Sequence, residues 1–100
     1  MSTTTDHRKA AEARINGLKA ILESLPPGET RDALIRECTA LAVAIAAFHM
    51  EGIRFRMFNV DRLHAKGGLT VPGEATVAFA EARQHLEAAG FHTRSHQAPS

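Results

Sequence analysis

The chain has no tryptophan and no tyrosine, and only one cysteine and five phenylalanines in 100 residues. A core made without the two largest amphipathic aromatics must be filled by alanine, leucine and isoleucine. That composition, with its scattered β-branched residues, leans to helix. The single cysteine, Cys38, excludes an internal disulfide and a paired-cysteine zinc motif, and it points to a reducing compartment. An excess of charge of one sign is also missing. Twelve basic and eleven acidic residues leave +1, whereas a dedicated nucleic-acid binder shows a clear basic excess. No apolar run is long enough to cross a bilayer, since the longest, 40–50, is short and contains His49. The first residues, Met-Ser-Thr-Thr-Thr-Asp-His, carry no apolar h-region of a signal peptide. There is no Gly-rich phosphate loop and no serine in a nucleophile-elbow context. These absences lead to the expectation of a one-domain cytoplasmic protein that is not an enzyme, holds no cofactor and has no membrane partner.

What is present is helical periodicity. Ala11, Ile15, Leu18, Leu22 and Leu25 recur at 4-3-4-3 spacing, which predicts a helix over about 6–25, ended by Pro26-Pro27-Gly28. Leu34, Cys38, Leu41, Ile45, Phe48, Gly52 and Phe55 continue the same spacing without a proline. They predict one helix over about 30–66, closed by Lys66-Gly67-Gly68, with Gly52 as its weak point. Ala75, Phe79, Ala82, Leu86 and Ala89 predict a third helix over about 72–89, with Thr70 or its neighbour as cap and Pro72 in the first turn. Gly90-Phe91 reads as a Schellman stop, with Phe91 folding back on the last turn. Residues 92–100 read as a disordered polar tail beyond a single helical domain over 1–91. The expected fold is therefore all-α: three helices, a long central one flanked by two shorter ones.

Two short helices laid end to end cover only one side of a long one. The central segment Ala40-Leu41-Ala42-Val43-Ala44-Ile45-Ala46-Ala47-Phe48 is apolar all round, which is the composition of a buried helix. Past Gly52, Ile53, Met57 and Val60 share one face, while Phe55 and Phe58 point roughly the other way. Two apolar faces need two partners, and the second is expected to be another copy of the chain in a helical-bundle homodimer. Its interface residues are expected to be Ala42, Ala44, Ala46, Phe48, Phe55, Phe58 and Arg62. The alternative is a monomer in which the central helix breaks at Gly52 and closes a four-helix bundle.

Chemistry-bearing residues are present but poorly arranged. His92 and His96, Glu81 and His85, and Asp61 and His64 have helical-neighbour spacing, loosely like the carboxylate and histidine elements of metal bundles, yet no full ligand set assembles. His64-Ala65-Lys66-Gly67 resembles the His-x-x-Lys-Gly signature of histidine phosphotransfer domains, but one residue is missing and the motif falls at a helix end. The segment 54–66 interleaves arginine and phenylalanine, as nucleic-acid or anionic-membrane surfaces do. Glu74, Glu81 and Glu87 on the last helix are expected to balance it. On the expected helical seam, Cys38 reads as a small buried hydrophobe.

The function expected from the sequence is non-enzymatic. It is a helical interaction protein that pairs with itself and binds and modulates another protein, such as a transcription or signalling regulator. The alternatives are a small-ligand or metal-binding bundle using His49, His64 or His85, and nucleic-acid binding through 54–66.

Overall fold

The computed structural model describes residues 6–91. Four helices follow in order: α1 (His7–Glu23), α2 (Glu29–Ala47), α3 (Met50–Lys66) and α4 (Gly73–Ala88). Each runs antiparallel to the one before. Thr30 at the start of α2 reaches Gly67 at the end of α3, and Glu37 meets Arg56 and Asn59. At the other side of the bundle, His7 and Arg14 of α1 meet His85 and Glu81 of α4. The core draws on one stripe of each helix: Ile15, Leu18 and Leu22, then Leu34, Leu41 and Ile45, then Ile53 and Met57, then Ala82 and Leu86. The expected tail over 92–100 lies outside the described residues.

The single central helix expected over 30–66 is two helices, so the described residues form four helices and not three. The break falls at Phe48 and His49, four residues before the glycine expected to carry it. Phe48 adopts the left-handed conformation (φ 49°, ψ 46°), and the His49 N–H donates to the Ala44 carbonyl at 2.9 Å. Left-handed backbone costs a β-carbon-bearing residue about 1–2 kcal/mol, so something must hold it. His49 does so from the other side, because its Nδ1 accepts the Gly52 N–H at 2.9 Å and caps α3. Gly52 contributes by its lack of a side chain. A Cβ there would lie 2.9 Å from His49 Nδ1 and 3.3 Å from the Ala44 Cβ, so only glycine lets the α2–α3 hairpin close this tightly. Removing the cap with His49→Ala is expected to lower stability by about 1 kcal/mol, seen as a lower urea midpoint with an unchanged slope.

The other ends are built from local chemistry. Asp6 Oδ1 accepts the Lys9 N–H at 3.1 Å and caps α1. Arg31 closes the far end of that helix, donating to the carbonyls of Leu22 (3.1 Å) and Glu23 (3.0 Å), which would otherwise lack partners. At the start of α4 the cap is Pro72 and not Thr70. No side chain caps this end, and Glu74 in the first turn meets the helix dipole instead. At its end, Gly90 (φ 106°) donates to the Glu87 carbonyl and Phe91 to the Leu86 carbonyl at 2.9 Å, the two bonds of a Schellman motif. Phe91 is thereby turned inward and fully buried.

Three of the four sides of the bundle are closely packed. Cα atoms of α4 and α1, of α1 and α2, and of α2 and α3 come within 8 Å of one another, whereas those of α3 and α4 do not. Long side chains span that wider seam: Arg83 of α4 pairs with Asp61 of α3 at 3.0 Å, and the Arg54 guanidinium lies 5.6 Å from the centre of the Phe91 ring.

Candidate functional site

A helix repeats its face every three to four residues, so Glu51, Phe55, Phe58 and Arg62 form one stripe along α3. The stripe faces outward. Phe55 is 57% and Phe58 61% exposed, values far from those of core aromatics such as Phe91. The Arg56 guanidinium sits 5.1 Å from the centre of the Phe55 ring, covering part of it. On α2, Val43 is also largely exposed at 66%, a position the sequence reading passed over inside the alanine run.

The seven expected interface residues divide. Ala46, Phe55, Phe58 and Arg62 are exposed. Ala42 is buried by the chain's own helices, and Ala44 and Phe48 are half-buried against the same core. Ala44 lies opposite Gly52 within the α2–α3 hairpin. The close backbone approach that the alanines permit is thus made within one chain at that level.

Two of the four cations of the basic segment, Arg54 and Arg56, are paired, and their partners lie on α2 and on α3 itself. Arg56 pairs with Glu37 of α2 at 3.1 Å, and the buried Asn59 donates to the same carboxylate at 3.2 Å. Arg54 lies 3.7 Å from Glu51. Glu81 of α4 serves α1 instead, pairing with Arg14 at 3.0 Å. Among the described residues, Arg62 and Lys66 are the cations of this segment that carry no ion pair.

The histidines have separate roles. His49 caps α3 through its Nδ1. His85 meets His7, Nδ1 to Nδ1 at 2.9 Å, an arrangement in which one ring donates and the other accepts. His64 is exposed. Among the described residues no three His, Cys, Asp or Glu side chains come together in a metal-binding group. His92 and His96 lie outside those residues. Cys38 is fully buried, and its thiol is pushed up to about 12, first by desolvation and second by the neighbouring Glu37 carboxylate. A thiol held protonated in this way is no nucleophile near neutrality.

The wide α3–α4 seam holds a cleft of about 200 Å³. Leu18, Leu22, Leu34 and Val60 line it, with Phe79. Asp61, His64, Thr76 and Arg83 supply its polar groups. No single stretch of sequence signals the cleft, because the lining comes from all four helices.

The chain matches no protein-family model, no curated protein and no solved structure.

Proposed function

We propose that this is a non-enzymatic interaction protein that pairs with a second copy of itself through the outer stripe of α3 and acts on another protein by contact. The observation that carries the reading is the order of residues in the stripe. Glu51, Phe55, Phe58 and Arg62 are spaced four, three and four apart, so the stripe reads the same from either end in both spacing and complementarity. Two copies laid antiparallel about a two-fold axis between Phe55 and Phe58 set each Phe55 against the partner's Phe58 and each Glu51 against the partner's Arg62. An isologous interface requires this self-complementarity. Burying an exposed phenylalanine is worth about 1.5–3 kcal/mol, whereas the rim pairs fix register more than they add affinity. One helix pair is a small interface, so the dissociation constant is expected on the order of micromolar.

Charge reversal tests the geometry. Sedimentation of the wild-type chain should show a reversible dimer. Glu51→Arg alone and Arg62→Glu alone should each leave a monomer, and the double variant should restore the dimer. A wild-type chain that stays monomeric throughout, or a double variant that fails to recover, contradicts the pairing. Action on another protein is tested separately. Tagged wild-type chain should recover a second protein from its own cell extract, and Phe55→Ala with Phe58→Ala should lose it. Unchanged recovery contradicts that half of the reading.

The cations of 54–66 favour this reading over nucleic-acid binding, since Arg54 and Arg56 are engaged within the chain. The balanced net charge points the same way.

A further inference from the structure

We infer that the α3–α4 cleft is a binding site for a small amphiphilic carboxylate, a molecule with one ring or a short hydrocarbon chain and a single anionic head. The site is separate from the α3 stripe, since none of Glu51, Phe55, Phe58 and Arg62 lines it.

The argument starts from packing. A four-helix bundle can close all four of its sides, and this one closes three. The fourth is held apart, and the space behind it reaches the core residues Leu18, Leu22 and Leu34. At about 200 Å³ it exceeds the roughly 150 Å³ of an apolar cavity that takes up benzene. It is smaller than the pockets of about 300–1,000 Å³ that hold drug-sized ligands. The hydrocarbon part of the ligand is therefore compact.

The head group is read from Arg83. Its guanidinium lies 5.0 Å from the centre of the Phe79 ring, in the wall of the cleft, and donates to Asp61 through Nη2 alone. Its Nε is buried and has no hydrogen-bond partner among the described residues. Nε and Nη2 form the side-on fork with which arginine takes both oxygens of a carboxylate, so half of that fork is unused. The Asp61 contact is a single bond at the surface and is a weak competitor. Nε is closed off as the side chain stands, so the Arg83 guanidinium has to turn as a carboxylate enters beside Phe79. The carboxylate then takes both arms of the fork and returns Asp61 to water. His64 and the Thr76 hydroxyl line the same cleft as further donors. A neutral hydroxyl can accept from one arm of the fork but leaves the charge unmatched, and a cationic head would meet Arg83 itself.

Sodium octanoate is the probe, with 1-octanol as its uncharged counterpart. Both are titrated into 15N-labelled protein and followed by amide and arginine Nε–H resonances. Octanoate is expected to shift Leu18, Leu34, Val60 and Thr76 saturably and to move the Arg83 Nε–H signal, with octanol binding more weakly at the same place. Arg83→Met is expected to weaken octanoate by about tenfold or more while changing octanol much less, because only the charged head uses both arms of the fork. Arg83→Lys should retain part of the octanoate affinity. Thr76→Trp, at an exposed position on the lining, should block both probes in a chain that still melts cooperatively. Four results would overturn the inference. One is octanoate shifts that do not saturate. Another is shifts that gather at Phe55 and Phe58. A third is an Arg83→Met variant that loses octanol and octanoate equally. The last is cleft shifts that grow with protein concentration in the absence of probe, which would make a second copy the occupant.

Discussion

Replacing Phe91 by alanine should cost about 3–5 kcal/mol, the range for emptying a buried aromatic site. The effect is large for a residue beyond the last helix, and three features account for it. The ring is fully buried, the Schellman bonds at Gly90 and Phe91 fix the direction of the chain, and the Arg54 guanidinium covers the ring. The Phe91 side chain belongs to the core as fully as Ile15 or Leu86 does. Domains of this kind carry about 5–15 kcal/mol in all, so the variant should be close to unfolding at ambient temperature. The chain has no tryptophan or tyrosine to report on unfolding, so far-UV circular dichroism in urea is the suitable measurement. A loss below about 1 kcal/mol would mean that the site collapses around the missing ring.

Stability should also fall on the alkaline side, and Cys38 should be the cause. The thiol ionises near 9.0 when unfolded and is pushed up to about 12 in the fold, where the thiolate would have to sit in the core beside Glu37. The folded value is the higher one, so the contribution of this group is fully present below pH 9. Above pH 9 the unfolded chain releases the proton first, and stability declines by about 1.4 kcal/mol per pH unit until the folded thiol itself ionises. The absence of tyrosine clears the first part of that window of the groups that usually titrate there. Urea unfolding at pH 8 and pH 10 should therefore show a drop on the order of 1 kcal/mol in the wild type that Cys38→Ala lacks. Equal drops in the two proteins would assign the alkaline loss elsewhere. The same burial implies that alkylation of Cys38 waits for unfolding.

Much of this molecule is legible in the order of its residues. The spacing of Ala11, Ile15, Leu18 and Leu22 identifies the buried face of α1, and Gly90-Phe91 identifies the stop of α4. The division of the central segment is not legible, for a physical reason. Leu34, Cys38, Leu41 and Ile45 set up a periodicity that Phe48, Gly52 and Phe55 continue, yet the core face of α3 is Ile53, Met57 and Val60. Phe55 is in step with a helix that has already ended. The break is made by a phenylalanine in a glycine's conformation and a histidine acting as a cap, and neither residue announces that role. Gly52 marks the neighbourhood, but its part is close approach and not flexibility. The outward direction of Phe55 and Phe58 was expected from their place opposite Ile53 and Met57. The inward use of Ala42 and Ala44 was not, because an alanine fits a partner's backbone and its own chain's hairpin equally well. The cleft stayed hidden because seam width depends on how four helices meet, and no single helix encodes it.

The turn at Phe48 and His49 has one more consequence. If both residues took ordinary helical angles, α2 and α3 would fuse into one rod from Glu29 to Lys66, carrying α4 away from α1. The exposed core would then be refilled by the same elements from another molecule, which is domain exchange across a short, strained hinge. The backbone cost at Phe48 favours the rod and the His49 cap favours the hairpin, so the balance rests on a few atoms. His49→Ala removes the cap and supplies the best helix-forming residue at the same position. Refolded at high concentration, it is the variant in which an interlocked dimer that survives dilution should be found. A His49→Ala chain that yields no dimer surviving dilution would show that packing within the α2–α3 hairpin, and not the cap, keeps each bundle built from a single chain.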